Sequence, residues 1–327
     1  MEVRVPLIFR PVYQPLVWGG RRMERWGRTL PRGPIGEAWE LADQPRGMSV
    51  VAEGQLAGLT LRELVDRAGA ALVGTGFPGG EFPLIVKLID ARLRLSVQVH
   101  PDEAVARALG VGQHGKTECW VFLADGGEVW QGTRQGVGRA EFERSLAQHN
   151  LPEVLNRFEA RTGDVCFLPA RTVHALGEGC LLYEVQQTSD VTFRVYDWDR
   201  LGLDGKPRPL HVAESMATID FARTGFGPHK TEAWRPVAGG ADCEERCLVE
   251  CSHFALRELK VRGRLEQPTQ DTCAIVTCVS GKGTLSTPAG QVALPSMQTV
   301  LVPADAGTWR VDIPSGGADL LVATPRF

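Results

Sequence analysis

Apolar and polar residues alternate along many short segments of the chain, which is the pattern of half-buried β-strands. In LSVQVH (95–100), Leu95, Val97 and Val99 would lie on one face, with a serine, an amide and an imidazole on the other. Comparable segments occur at 83–90, 117–124, 164–168, 180–187, 191–197, 248–260, 273–280, 283–287, 297–302 and 308–313. Thirty-seven glycines and 21 prolines separate such segments. The pattern therefore predicts a mainly β protein.

Helical spacing is confined to a few segments. The clearest is LTLRELVDRAGAALVG, where Thr60 and Glu63 form a capping box and the apolar residues share one face, which predicts a helix over about 60–74. A second helix is predicted over about 101–110, ending at Gly110. A third is predicted over about 140–159, broken near Pro152. We expect these helices to be insertions in a β framework.

One segment in the second half of the chain resembles a segment in the first half. GDVCFLPARTVHAL (163–176) and QTVLVPADAGTWRV (298–311) both read as a strand, Pro-Ala, a tight loop and a strand. His174 follows the proline of the first copy by five residues, where the second copy has Thr308. This pattern predicts two related β-sandwich units, one with a metal ligand and one without. We place the boundary near 235, giving a catalytic domain over 1–235 and a C-terminal β domain over 236–327.

Composition and charge narrow the possible partners. The chain has 327 residues and a net charge of −3, so no overall basic field would hold nucleic acid or an anionic membrane. No apolar run approaches the ~20 residues of a membrane span, and the first residues lack the apolar core of a signal peptide. The eight cysteines form no CxxC pair, which predicts free thiols and a cytoplasmic protein. The oligomeric state stays open, a monomer included.

Histidines on strands are the first candidates for chemistry. His100 and His174 lie in strand-like segments, Gln98 precedes His100 by two residues, and Glu118 begins a strand that also carries Trp120 on the same face. Two imidazoles, a carboxylate and an amide oxygen suit Zn²⁺ or another divalent ion and leave a position open for substrate. The spacing alone leaves this open, because the sequence has no dense signature such as HExxH.

Basic residues form the second candidate group. Lys87 lies within apolar PLIVKLI, Lys116 lies in the turn HGKTE, and Arg194 and Arg200 flank an aromatic run. A lysine among apolar residues is either a stem that reaches the surface or a charge that faces a ligand. Basic residues that converge with a metal predict a small phosphorylated or anionic substrate.

Several motifs, taken in order, resemble those of type I mannose-6-phosphate isomerases (phosphomannose isomerases), short bacterial form, of the cupin superfamily. They are PLVWGG (15–20), GEAWELAD (36–43), PLIVKLIDARLRLSVQVHPDE (83–103), GKTECWVF (115–122) and GDVCFLPARTVHALGEGCLLYEVQQTSDVTFRVYDWDR (163–200). They cover most of residues 1–215, and the C-terminal part resembles the family only in its β pattern. The endings HPDE and TECW depart from the commoner forms at positions that are not proposed ligands.

The resemblance implies jelly-roll (cupin-type) β-sandwiches, one zinc ion per chain and a zinc-dependent isomerase of carbohydrate metabolism. Its reaction would interconvert mannose 6-phosphate and fructose 6-phosphate through an enediol. The implied zinc ligands are Gln98, His100, Glu118 and His174. Arg194 matches the family's catalytic arginine. The further pocket positions implied are Lys87, Lys116, Glu184, Arg200, Glu37 and Trp18.

Some roles stay open at the level of sequence. Arg194 would stabilise the enediolate, whereas Glu184, Lys116 and a water held by the metal are alternatives for proton transfer. Ser96, Lys87 and Arg200 are the candidates for binding the phosphate. The alternatives for the whole protein are another cupin sugar-phosphate isomerase that accepts glucose 6-phosphate, and a sugar-phosphate-binding cupin without activity. A cupin oxygenase is disfavoured, because Gln98 stands where such enzymes carry a histidine.

Overall fold

The computed structural model describes residues 2–225 and 227–327 and is mainly β, as predicted. Residue 226, within the catalytic domain predicted over 1–235, lies outside the described residues. The strands are β1 (Leu7–Arg10), β2 (Val12–Gly20), β3 (Ile35–Leu41), β4 (Val50–Val51), β5 (Leu84–Asp90), β6 (Val97–Val99), β7 (Glu118–Phe122), β8 (Gly127–Thr133), β9 (Leu155–Ala160), β10 (Val165–Leu168), β11 (His174–Leu176), β12 (Leu181–Gln187), β13 (Phe193–Tyr196), β14 (Arg235–Pro236), β15 (Glu244–Glu250), β16 (Phe254–Val261), β17 (Arg264–Pro268), β18 (Ala274–Ser280), β19 (Lys282–Thr287), β20 (Gly290–Pro295), β21 (Thr299–Val302), β22 (Thr308–Asp312) and β23 (Ala318–Pro325).

The helices are short. They are α1 (Leu61–Ala68), α2 (Ala70–Val73), α3 (Glu103–Ala108), α4 (Arg139–Ala147) and α5 (Val212–Thr218), with 3-10 turns at Arg22–Trp26, Leu151–Val154 and Ala304–Ala306. The predicted capping box is present, since the Thr60 hydroxyl accepts from the Glu63 amide and the Glu63 carboxylate accepts from the Thr60 amide. In the part of the chain that the structure describes, no helix is long and apolar enough to cross a membrane.

The helix predicted over 140–159 is wrong in its last third. Helix α4 ends at Ala147, a 3-10 turn with Pro152 near its start follows, and the chain then extends as strand β9. In this strand Phe158 alternates with exposed Arg157 and Glu159, and β9 pairs with β8 at the edge of a sheet. Because this edge strand exposes about half of its residues, its apolar pattern is weak, and the preceding helix was wrongly extended over it.

Four sheets divide between two compact units. The first unit comprises Met1–Val12, Glu40–Leu84 and Lys230–Phe327, and holds an eight-stranded sheet (β14-β15-β16-β23-β18-β21-β1-β4) and a four-stranded sheet (β17-β22-β19-β20). The second comprises Tyr13–Trp39 and Ile85–His229, and holds a six-stranded sheet (β10-β7-β12-β5-β3-β2) and a five-stranded sheet (β13-β6-β11-β8-β9). Strand β6 pairs antiparallel with both β11 and β13.

These units differ from the linear division into 1–235 and 236–327. Residues 1–12 and 40–84 group with the C-terminal part because β1 and β4 complete the eight-stranded sheet there, β1 pairing with β21. Strands β21 and β22 flank Pro303 as β10 and β11 flank Pro169, which matches the two similar segments seen in the sequence. The division into a catalytic domain over 1–235 and a C-terminal β domain over 236–327 stays a prediction.

The five-stranded sheet explains the two faces of LSVQVH. Val97 and Val99 pack on the side covered by α4 and α5, in a cluster with Phe142 and Met216. The opposite face, with Gln98, looks towards the six-stranded sheet, against which apolar side chains of both sheets form a second cluster. A polar row therefore enters the interior of a sandwich, where burial is costly unless each group has a partner.

Candidate metal centre

Strand pairing brings three of the predicted residues to one face. Gln98 on β6 lies opposite His174 on β11 on one side and opposite Arg194 on β13 on the other. Residues directly opposite on antiparallel strands project to the same face. The amide, the imidazole and the guanidinium therefore project from the polar face of the five-stranded sheet.

Glu118 comes from the facing sheet and completes a buried cluster. Its carboxylate lies 3.3 Å from His174 Nε2 and 3.6 Å from His100 Nε2. One ligand atom from each of these three residues lies within 4.8 Å of the others, so the cluster could hold a metal ion. Gln98 adjoins it, with its Nε2 3.3 Å from His174 Nε2.

Both imidazoles are oriented as metal ligands are. The Nδ1 atom of His100 lies 2.9 Å from the Val191 carbonyl oxygen, and that of His174 lies 2.9 Å from the Thr172 carbonyl oxygen. A carbonyl oxygen only accepts, so each Nδ1 carries the proton and donates it. The Nε2 lone pairs then face the Glu118 carboxylate, which is the arrangement in which metal-bound histidines are held.

The polar atoms at the centre of the cluster fit a cation. His100 Nε2 and both carboxylate oxygens of Glu118 are buried, and none has a hydrogen-bond partner in the part of the chain that the structure describes. Buried acceptors without partners are costly, and three that converge would be satisfied together by one metal ion. Lys116 compensates in part, with its Nζ 3.4 Å from Glu118 Oε2.

Burial keeps the histidines in the form that binds metals. It lowers the pKa of His174 to about 4, and burial, then Lys116, lower the pKa of His100 well below its ordinary value. Both rings are therefore neutral near pH 7. Burial raises the pKa of Glu118, an effect that Lys116 and Lys87 oppose.

A second buried network surrounds Lys87, whose side chain is 3% exposed. The Nζ atom lies 3.4 Å from Glu184 Oε1 and 3.6 Å from Glu37 Oε2, above the ring of Trp39. Two indoles hold the same carboxylates: Trp120 Nε1 donates to Glu184 at 2.7 Å, and Trp39 Nε1 donates to Glu37 at 2.6 Å. Lys87 is thus a buried charge, and its stem does not reach the surface.

The charges of this network support one another. Burial would lower the pKa of Lys87, but Glu37 and Glu184 raise it above its ordinary value, so the amine stays charged. Burial would raise the pKa of Glu37, but Lys87 and the Trp39 indole lower it. Burial, then the charge of Glu118, raise the pKa of Glu184. Glu184 is therefore the carboxyl of this network that is most easily protonated.

Arginines gather where β13 ends. Arg200 and Arg208 both donate to the carboxylate of Asp197, which is 5% exposed. Arg194 lies in the strand just before Asp197 and donates from Nη1 to the Pro209 carbonyl oxygen at 2.8 Å. Burial, then the charge of Arg208, lower the pKa of Arg194. This end of the strand therefore carries a surplus of positive charge.

Comparisons with known proteins identify the family. A family model described as phosphomannose isomerase type I, catalytic domain, matches residues 7–117. The mannose-6-phosphate isomerase of Streptococcus mutans is 32% identical over 310 residues, which cover 94% of this chain and 95% of that relative. The chain belongs to the type I phosphomannose isomerase family. The mannose-6-phosphate isomerase ManA of Bacillus subtilis is 33% identical over 280 residues, or 85% of this chain and 86% of that relative.

The fold agrees with this family. The crystal structure of the mannose 6-phosphate isomerase from Bacillus subtilis superimposes with a TM-score of 0.87 at 29% identity, covering 98% of this chain and 99% of that chain. The predicted cupin-type β fold, the family and the isomerase class are therefore confirmed. The eight cysteines are free thiols, also as predicted.

The remaining predicted residues of this phosphomannose isomerase family member lie around the cluster. Ser96 is buried, and its hydroxyl is 3.4 Å from Gln98 Oε1. Trp18 packs in the apolar cluster that also contains Trp120. Sequence reasoning missed the partners of the charged groups, namely Trp39, Trp120, Asp197 and Arg208. Trp120 had a signal, since it lies two residues after Glu118 and shares its strand face. Arg208 lies in a Gly- and Pro-containing loop, LGLDGKPRP, that gave none.

Proposed function

We propose that the protein is a zinc-dependent isomerase that interconverts mannose 6-phosphate and fructose 6-phosphate through an enediol intermediate. The relatives reported above are named for isomerisation of mannose 6-phosphate. The observation that carries the proposal is the buried cluster of His100, Glu118 and His174, whose unpartnered acceptors converge. An aldose–ketose isomerase needs a positive centre near the sugar oxygens, and a metal ion held by this cluster would supply one.

The zinc ligands in this proposal are His100, His174, Glu118 and Gln98. Two nitrogens and two oxygens form a donor set that zinc accepts, and sites with catalytic zinc keep a further position open. Gln98 supplies its oxygen if the side-chain amide turns by 180°, because the amide nitrogen now faces His174. These residues would hold the cation beside the sugar, where it would supply positive charge to the oxygens at C1 and C2.

The chain's own residues move the proton. A base removes the proton from C2 of the aldose, the C–H electrons form the C1=C2 bond, and the C1=O π electrons move onto O1, which takes up a proton to give the enediol. The O2–H proton then leaves as the C2=O bond forms, and a proton is added at C1 to give the ketose. Glu184 and Lys116 are the two candidates among the side chains, and a water held by the metal stays the alternative. Glu184 has a pKa raised by burial and is aimed by the Trp120 indole, whereas Lys116 is held against Glu118. Either residue is buried enough for its protons to be shielded from bulk water.

Arg194 is placed to stabilise the charge that develops on the sugar oxygens. It shares a sheet face with Gln98, and its Nε is a buried donor with no hydrogen-bond partner among the described residues. A guanidinium stays protonated and donates without giving up its proton, which suits an oxyanion. We assign Lys87, which contacts both Glu37 and Glu184, to orienting the Glu184 carboxylate, with Glu37 holding Lys87. Trp18 would support the site from the apolar cluster that also contains Trp120.

The polar residues along β6 and beside its ends suggest how the substrate would be oriented. Gln98 and His100 lie at the metal end, and Ser96 lies at the other end, where Arg200 donates to the Arg94 carbonyl oxygen. The sugar phosphate would lie along this face, with C1 and C2 at the metal and the phosphate near Ser96 and Arg200. Ser96 and His100 lie four residues apart, which is ~13 Å along an extended chain and enough for an open-chain hexose phosphate.

The test is turnover by the zinc-loaded protein. Mannose 6-phosphate should be converted to fructose 6-phosphate, and the same protein should convert glucose 6-phosphate far more slowly. Absence of turnover by folded, zinc-loaded protein would refute the proposed activity. Equal rates with both sugars would refute the assignment to mannose.

A further inference from the structure

Asp197 holds two guanidiniums at once. Arg208 donates from Nε to Asp197 Oδ2 at 2.7 Å and from Nη2 to Oδ1, and Arg200 donates from Nε and Nη2 to Oδ1 at 3.1 and 2.8 Å. Burial would raise the pKa of Asp197, but the hydrogen bonds from Arg208 and Arg200 lower it, so the carboxylate stays charged. One buried carboxylate thus aligns two cations side by side.

The cluster of Arg194, Arg200 and Arg208 has more positive charge than Asp197 can balance. Three guanidiniums against one carboxylate leave a surplus of two positive charges in a half-buried place. The side chains of Arg200 and Arg208 are only 16% and 19% exposed. Like charges held together out of water are unfavourable, and a dianion would relieve them.

The backbone fixes Arg208 beside the strand that carries Arg194. His211 N donates to the Arg194 carbonyl oxygen at 2.8 Å, and the Arg194 amide donates to His211 Nδ1 at 3.2 Å. Together with the bond from Arg194 to Pro209, these contacts align residues 209–211 along β13. Arg208 therefore enters the cluster from a tethered segment.

The turn on the other side is also held in place. Trp198 and Asp199 adopt left-handed φ angles of 60° and 52°, which non-glycine residues adopt only at a cost. Trp198 Nε1 donates to the Leu95 carbonyl oxygen at 2.5 Å, and its ring packs against Trp130. The turn is thus tied to the residue before Ser96, so Arg200 and its carboxylate lie at the phosphate end of β6.

We propose that Arg208 is a second phosphate-binding arginine beside Arg200, and that Asp197 is the positioning residue for both. Arg208 binds Asp197 through Nε and Nη2, so its Nη1 is not engaged by Asp197 and can donate to the ligand. The inference rests on the proposed function, since the phosphate belongs to the sugar. It assigns recognition of the 6-phosphate to a pair of guanidiniums and extends the site to a loop that follows β13.

The test compares Arg208→Gln and Arg208→Lys in the zinc-loaded protein. For Arg208→Gln we expect KM for mannose 6-phosphate and the inhibition constant of inorganic phosphate to rise together, about 10- to 100-fold, because charge-assisted hydrogen bonds are lost. The kcat value should change less than about threefold. Arg208→Lys should recover part of the loss. Unchanged constants in Arg208→Gln would overturn the proposal.

Asp197→Asn tests the positioning role. Although both arginines remain, this variant should raise KM for mannose 6-phosphate and the inhibition constant of inorganic phosphate. If Asp197 had only a structural role, the variant would lower stability and leave both constants unchanged. The matched control is Arg62→Gln, since Arg62 also donates to a buried aspartate, Asp43, and both residues belong to the other compact unit. That variant should keep both constants of the parent protein.

Equilibrium binding separates this inference from the proposed activity. Calorimetric titration of the zinc-loaded parent and Arg208→Gln with mannose 6-phosphate and with inorganic phosphate needs no turnover. Binding of both ligands that weakens in Arg208→Gln supports the phosphate site even if no isomerisation occurs. Equal binding by the two proteins overturns it even if the isomerase activity is intact.

Discussion

Gln98 and His174 lie directly opposite each other on neighbouring antiparallel strands, and their side chains meet, with Gln98 Nε2 3.3 Å from His174 Nε2. The register of β6 against β11 therefore places an amide and an imidazole at one point. A slip of one residue would turn one of them to the helix-covered face. The candidate metal centre depends on this register, with Glu118 arriving from the facing sheet.

His174→Ala should abolish stoichiometric zinc binding. The imidazole supplies one of the converging acceptors, and its loss leaves the Glu118 carboxylate with fewer partners for the cation. We expect bound zinc, measured by elemental analysis after dialysis, to fall from about one per chain to a small fraction. His253→Ala, in the C-terminal part, serves as the control. Full zinc content in His174→Ala would contradict the ligand assignment.

Trp120→Phe should separate zinc binding from catalysis. Phenylalanine keeps a ring near His174 and Phe122 but removes the donor to Glu184 Oε2. Losing one bond to a buried carboxylate costs about 1–3 kcal/mol, so we expect kcat to fall about tenfold or more with zinc retained. Steady-state kinetics and elemental analysis measure both. Trp309→Phe, a buried ring of the other unit, should leave kcat unaltered; parental kcat in Trp120→Phe would show that the indole does not aim Glu184.

Arg194→Lys should lower kcat more than it changes KM. Lysine keeps the charge but loses the planar fork of donors that the guanidinium presents from the sheet face. Removing such a donor from a developing oxyanion costs about 100-fold in kcat. Steady-state rates at saturating mannose 6-phosphate provide the measurement. If only KM rises, Arg194 binds the substrate and does not act in the transition state.

Asp197 should make stability depend on pH in the acid range. Its pKa is lowered in the fold by Arg208 and Arg200 against the effect of burial, so the charged carboxylate stabilises the fold. This contribution is complete above the unfolded pKa of about 3.9 and is lost as the pH falls through the lower, folded value. The unfolding free energies of the parent and Asp197→Asn should differ by about 1–3 kcal/mol at pH 6–8 and converge below pH 4.

Urea unfolding across this pH range measures the difference. A gap between the parent and Asp197→Asn that grows as the pH falls would contradict the sign of the shift. A gap independent of pH would show that the arginines do not stabilise the charged form of Asp197.

The strands and the candidate residues of the metal cluster could be predicted from the sequence because their signals are local, whereas the ligand set itself was implied by the resemblance to the family. The alternation in LSVQVH fixes which residues share a face, and Gln98 and His100 need only a two-residue spacing to project together. His174 and Glu118 were found because each lies in a segment with a clear strand pattern. The β fold follows from the same alternation repeated along the chain.

The rest depends on contacts between residues far apart in sequence. The sequence around Lys87 does not show that Glu37 and Glu184 flank its amine in the fold. That Lys87 is a buried, charged residue could therefore be seen only in the structure. Arg208 lies in a loop whose sequence is typical of an exposed turn, and only its hydrogen bonds to Asp197 indicate a role in the site. Strand β9 was read as a helix because an edge strand exposes half of its residues and has a weak apolar pattern.

Zinc titration of the metal-free protein tests the central claim most directly. Activity towards mannose 6-phosphate should be absent in chelator-treated protein and should rise in proportion to added zinc, reaching its plateau at one zinc per chain. Full turnover by protein that elemental analysis shows to be free of metal would contradict the account.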